Sequence, residues 1–135
     1  MRLEEAKLLR ATVDARLAAN PIANLVVLGD FNDTQDAAST RAVLGRYSRK
    51  LVDTRPAERN GDDPPGPGST REPRNVAWTH YYPAEDRLDR IDYILISEGM
   101  AREWVKGETF IPFIPYWGIG SDHRPILATF EAADR

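Results

Sequence analysis

Leu25-Val26-Val27-Leu28-Gly29-Asp30-Phe31-Asn32-Asp33 is an apolar run that turns polar within one residue. Its first five residues include two β-branched side chains and read as a short strand buried on both faces. Upstream, Leu3, Ala6, Leu9, Val13 and Leu17 recur at spacings of three and four, the pattern of a helix with one apolar face. Arg2, Glu5, Arg10 and Asp14 lie largely off that face, and Asn20-Pro21 ends it, because proline disfavours helical geometry in the residue before it. A helix feeding a buried strand predicts an α/β layered domain.

Downstream, Asp36 to Leu44 reads as a second, short helix capped by Gly45. Residues 53–75 then concentrate Pro56, Pro64, Pro65, Pro67 and Pro73 with Gly61, Gly66 and Gly68, the composition of a long surface loop within one domain. Its four arginines, Arg55, Arg59, Arg71 and Arg74, are matched by Glu58, Asp62, Asp63 and Glu72, so it is no simple cationic clamp. Three further strands are expected at Val76–Tyr82, Arg90–Ile96 and Ile126–Phe130. A weaker one is expected at Thr109–Ile114, which Pro112 interrupts.

The 135 residues suffice for one domain, and 41% hydrophobic against 29% charged residues is ordinary for a globular chain. A net charge of −3 makes no case for tight electrostatic binding of nucleic acid, though it leaves room for a nucleic-acid substrate held by local cations. The absence of cysteine excludes disulfides and zinc–thiolate sites. No run approaches the ~18 apolar residues of a membrane span. The charged start, Met1-Arg2-Leu3-Glu4-Glu5, lacks the apolar stretch of a signal peptide, which would keep a complete chain in the cytoplasm.

Three acidic clusters sit at strand edges. In the first, Asp30 and Asn32 are two apart, so in extended geometry they point the same way. The carboxylate can accept a proton or bind a cation, and the carboxamide can donate to a phosphate oxygen. The same pair can instead simply end the strand in a turn. A calcium loop is excluded, because its glycine and glutamate positions hold Gln35 and Arg41. In the second cluster, Asp92 lies within an apolar strand and needs a histidine, an arginine or a metal as partner; a structural ion pair with Arg90 would also serve. The third, Gly120-Ser121-Asp122-His123-Arg124-Pro125, holds one of the chain's two histidines, a group that exchanges protons near neutral pH. Its alternative is a capped turn closed by Pro125. The surroundings of Ser121 do not form the nucleophile elbow of a serine hydrolase. The other histidine, His80, reads either as a strand residue with an ordinary partner or as a substrate contact.

Taken in order, Gly29-Asp30-Phe31-Asn32, Arg90-Ile91-Asp92-Tyr93-Ile94-Leu95 and Ser121-Asp122-His123-Arg124-Pro125 resemble the endonuclease/exonuclease/phosphatase family. The resemblance covers nearly the whole chain, from the first helix to Phe130. It implies the C-terminal half of a four-layer α/β/β/α sandwich of the DNase I-like type, with mostly antiparallel or mixed sheets and flanking helices. Residues 1–135 would then be a partial domain. It also implies phosphoester hydrolysis dependent on Mg²⁺ or Mn²⁺. In that pattern Asp30 aligns or deprotonates the attacking water, Asn32 steadies the phosphate and His123 contacts it. Asp92 orients His123, and Asp122, with Asp30, holds the metal. Family substrates range from DNA and RNA to phosphoinositides, sphingomyelin and other small or lipid phosphoesters. The N-terminal half, which normally supplies a metal-binding glutamate and most of one sheet, has no counterpart in this chain. A complementing half or self-association is therefore expected, and a non-catalytic binding or assembly fragment is the competing reading.

Overall fold

The computed structural model describes residues 2–60 and 77–132. The elements are α1 (Leu3–Ala19), β1 (Val26–Asp30), α2 (Ala38–Leu44), β2 (Val52–Asp53), β3 (Arg59–Asn60), β4 (His80–Tyr82), β5 (Arg87–Asp89), β6 (Asp92–Ile96), α3 (Glu98–Ala101), β7 (Trp104–Ile111) and β8 (Leu127–Phe130). The architecture is mixed α/β: among the described residues three small sheets, ordered β1-β6-β2, β3-β7-β8 and β4-β5, with few helices. All strand pairs are antiparallel except β3 with β7.

Helices α1 and α2 lie on one face of the β1-β6-β2 sheet. Ala6, Val13 and Leu17 from α1 and Val43 from α2 form a buried cluster with Leu51, Phe31, Tyr93 and Leu95. The apolar stripe predicted for α1 is therefore real, although its first member, Leu3, remains exposed. Arg10 departs from its assignment to the polar face. Its guanidinium pairs with Asp14 at 2.6 Å and donates to the carbonyls of Val43 and Leu44 at 3.0 and 3.2 Å. Arg10 thus caps the Val43 carbonyl at the end of α2 and shares that of Leu44 with the Leu51 amide. Gly45 follows with φ +73°, a left-handed conformation that favours glycine, and a Cβ there would fall 2.2 Å from the Arg10 guanidinium and displace it.

Strand β1 overturns one expectation. Its burial alternates, with Val26 39% and Leu28 67% exposed, so the strand is not buried on both faces, although Ile96, paired opposite Val26 on the same face, is covered. An apolar run reads the same whether one or two layers flank it, and only the tertiary arrangement decides between them. Val52 of β2 is also exposed.

Other boundaries shift by a few residues, as expected where no cap fixes them. The predicted helix from Asp36 begins at Ala38, the strand from Arg90 at Asp92, and the strand from Ile126 at Leu127. Thr109–Ile114 proves to be the end of a longer strand that starts at Trp104 and stops at Ile111, directly before Pro112. Of the expected strand Val76–Tyr82, His80–Tyr82 is strand, and Val76 lies outside the described residues. Within the expected surface loop 53–75, residues 61–75 also lie outside them. The described part, 53–60, is not simply surface, because Thr54 and Glu58 are buried. Among the described residues, no helix is long and apolar enough to cross a membrane.

Candidate functional site

The three acidic clusters converge because β1 and β6 are antiparallel in a register that sets Asp30 opposite Asp92. The segment before β8 arrives beside them through an antiparallel bridge between His80 and His123. Thr79 ties these pieces together. Its buried hydroxyl accepts from the Ile91 and Asp92 amides, each at 3.3 Å. Its carbonyl accepts from the Arg124 amide at 2.7 Å, and its own amide donates to the Asp89 backbone carbonyl at 2.9 Å. The Tyr81 amide completes the join by donating to the Asp122 carbonyl at 3.2 Å.

His123 is the centre of the arrangement. Its Nδ1 lies 2.9 Å from Asp92 Oδ2, and its Nε2 lies 3.9 Å from Asp30 Oδ2. Partial burial pulls the imidazole's pKa down, but the Asp92 hydrogen bond and the charges of Asp92, Asp30 and Asp122 outweigh it and hold the value above that of an ordinary histidine. Asp92 thus takes the histidine partner foreseen for it. The ion pair with Arg90 does not form, because Arg90 turns to Glu58 in a two-pronged pair, its Nε 3.0 Å from Oε2. Burial pushes the Glu58 carboxyl upward by more than Arg90 pulls it down.

The Asp30–Asn32 pair behaves differently from its extended-strand reading. The strand ends at Asp30, and Asn32 adopts the left-handed region with φ +52°. Asp30 Oδ1 accepts from the Asn32 amide at 2.7 Å, so the side chains do not share a strand face. The turn is anchored from beneath by Tyr93, whose hydroxyl donates to the Asp33 carbonyl at 3.1 Å and whose ring packs 5.0 Å from that of Phe31.

His80 joins the same cluster, its ring 4.6 Å from that of His123 and its Nε2 3.6 Å from Asp122 Oδ2. Asp122 is the most open member, with a side chain 68% exposed. Among the described residues, two groups have donor atoms close enough together to hold a metal ion: Asp30, Asp92 and His123, and His80, Asp122 and His123. Sequence reasoning overlooked Thr79 and the His80 partner Asp89. A buried threonine beside a strand histidine was the available signal for the first. The cross-strand pairing of His80 with Asp89 needed the β4–β5 register.

A family model described as "Endonuclease/Exonuclease/phosphatase family" matches residues 2–123. The chain belongs to the endonuclease/exonuclease/phosphatase family. No curated protein and no solved structure matches it. In this family the fold is that of a phosphoester hydrolase and divalent metals are in general use. The acidic and histidine groupings described above are of a kind that suits such ions.

Proposed function

We propose that this protein is a divalent-metal-dependent phosphoester hydrolase acting on a nucleic acid or on a small or lipid phosphoester. One observation carries the reading: the Asp92–His123 pair at 2.9 Å, with the outer His123 nitrogen facing Asp30. In-line attack on a phosphate is limited by charge repulsion and by positioning. The Asp92 carboxylate fixes the ring, assigns the inner nitrogen as a donor and favours the imidazolium. The outer nitrogen is then free to donate to a phosphoryl oxygen, as an acid or a hydrogen-bond donor. Asp30, which orders its own turn through the Asn32 amide, takes the role of aligning or deprotonating water. Asn32, exposed at the tip of that turn, is assigned the phosphate contact, and His80 a substrate contact.

Asp30 and Asp122 would hold Mg²⁺ or Mn²⁺. Two carboxylates with substrate oxygens are the hard, oxygen-only set such ions favour. The ion, when bound, neutralises phosphate charge.

The exposed Val26, Leu28 and Val52 support a second element of the proposal. They are the exposed margins of the sheet face that a four-layer sandwich covers with its other sheet, Ile96 between Val26 and Val52 being already buried. Residues 1–135 thus form the C-terminal half of the domain, completed by a complementing half or by self-association. The same face supports the competing reading of a non-catalytic assembly fragment.

Hydrolysis of bis-p-nitrophenyl phosphate with Mn²⁺ tests the leading reading, with EDTA and Asp30→Ala as controls. Turnover lost in both controls is expected. A folded protein with no turnover favours the assembly fragment.

A further inference from the structure

The two histidines are arranged alike. Each turns one ring nitrogen to a carboxylate behind it: His123 Nδ1 to Asp92 at 2.9 Å, and His80 Nδ1 to Asp89 at 3.5 Å. The second distance is an ion-pair separation, and His80 Nδ1 is buried without a hydrogen-bond partner among the described residues. The outer His80 nitrogen, Nε2, lies 3.6 Å from Asp122 Oδ2. One donor atom from each of His80, Asp122 and His123 lies within 4.8 Å of the others.

From this we infer that His80, His123 and Asp122 form a site for a transition-metal ion of the Zn²⁺ or Co²⁺ kind, distinct in donor chemistry from the Mg²⁺ or Mn²⁺ site. Two imidazoles and one carboxylate suit Zn²⁺ and Co²⁺, whereas Mg²⁺ prefers oxygen alone. A carboxylate behind each imidazole is the usual support of a metal-bound histidine, fixing the tautomer and aiming the other nitrogen at the ion. Metal at His80 Nε2 places the proton on Nδ1, which then becomes a donor to Asp89 and resolves the unpaired atom. Three protein ligands leave a fourth position open for water or a phosphoryl oxygen. The exposed Asp122 side chain gives the ion a route from solvent.

The site has a consequence that rests on the proposed hydrolase activity. An ion there occupies the His123 nitrogen assigned to the phosphate and withdraws Asp122 from the oxygen site. Zn²⁺ is therefore an inhibitor, and because the two sites share Asp122, Mg²⁺ opposes it only in large excess over the preference of imidazole ligands for Zn²⁺.

Histidine-selective NMR of the untagged protein tests the site without turnover, because the chain has only two histidines. With Mg²⁺ present in excess, one equivalent of Zn²⁺ is expected to shift the Nε2 resonances of both rings together. Co²⁺ is expected to give visible bands stronger than those of the hydrated ion, bleached by Zn²⁺. Asp89→Asn, away from the ligands themselves, is expected to weaken Co²⁺ binding by about 10–100-fold with an unchanged circular dichroism spectrum. Zn²⁺ that shifts one ring or neither overturns the site, as does Co²⁺ affinity unaltered by Asp89→Asn. An inactive protein showing both shifts upholds the site and counts only against the hydrolase reading. An active protein showing neither does the reverse.

Discussion

His123 Nδ1 stands 2.9 Å from Asp92 Oδ2, across 31 residues of sequence. The contact exists because Asp92 opens the central strand β6 and the bridge to His80 delivers His123 beside it. His123→Ala is expected to lower kcat/KM for a phosphodiester by about 10²–10⁴ if the ring acts as an acid or base. Steady-state kinetics on a variant with unchanged circular dichroism provides the check; a loss of less than tenfold would remove His123 from the chemistry.

The raised His123 pKa has a definite sign in the pH profile. The imidazolium survives to higher pH than in a free histidine, so activity that needs it falls on the alkaline side as pH passes the raised value. Asp92→Asn removes the hydrogen bond and charge that raise it, and the alkaline limb is expected to move to lower pH. Stability follows the same sign. The contribution of the protonated ring is complete below the unfolded value of about 6.5 and is lost as pH rises through the folded value. Rate profiles and urea midpoints across pH 5–9 for both proteins, roughly the range about His titration, would expose an error as an unmoved limb.

Thr79→Val keeps the shape of the side chain but removes the oxygen that accepts from the Ile91 and Asp92 amides. Leaving buried donors unpaired costs about 1–3 kcal/mol, so the urea midpoint is expected to fall. Because the Asp92 backbone is one of the two donors, kcat is expected to fall with it while KM changes little. A variant as stable and as active as the parent would show that Thr79 merely fills space.

Arg90→Leu tests the buried pair with Glu58, whose side chain is fully covered. Removing one member of such a pair costs about 3–5 kcal/mol, because a charge is left without its partner. Burial already raises the Glu58 pKa, so the orphaned carboxyl can take up a proton. The loss measured by urea denaturation is therefore expected to be large near neutral pH and smaller in mild acid. Equal losses at both would place the cost in packing against Tyr93, whose ring lies 5.3 Å from the Arg90 guanidinium.

What was legible in the sequence was local. The three- and four-residue spacing of Ala6, Val13 and Leu17 foretold the buried face of α1, and the alternation through Tyr93 and Leu95 foretold β6. The acidic clusters were visible as polar residues interrupting apolar runs. What escaped depended on distant partners or on backbone conformation. Arg90 chose Glu58, 32 residues away, over its neighbour Asp92. Asn32 left the extended conformation that would have aligned it with Asp30. Strand β7 was underestimated because Lys106, Gly107 and Glu108 at its exposed centre dilute the apolar pattern.

The exposed β1 margin of the β1-β6-β2 sheet, beside the buried Ile96 of β6, carries the last prediction. Val26 and Leu28 alternate outward along β1, and Leu28 is 67% exposed, although nothing in their chemistry favours water. Contiguous exposed apolar surface of this kind favours association. Sedimentation of the purified chain is expected to show a concentration-dependent increase in mass, and Leu28→Glu is expected to shift it toward monomer. Because Leu28 contributes little buried surface within the chain, that substitution should alter the unfolding free energy by no more than about 0.5 kcal/mol. Loss of association with retained stability would identify this face as the interface that closes the sandwich. A monomer at every concentration would mean that the sheet tolerates water as it stands, and would remove the main physical support for a missing half.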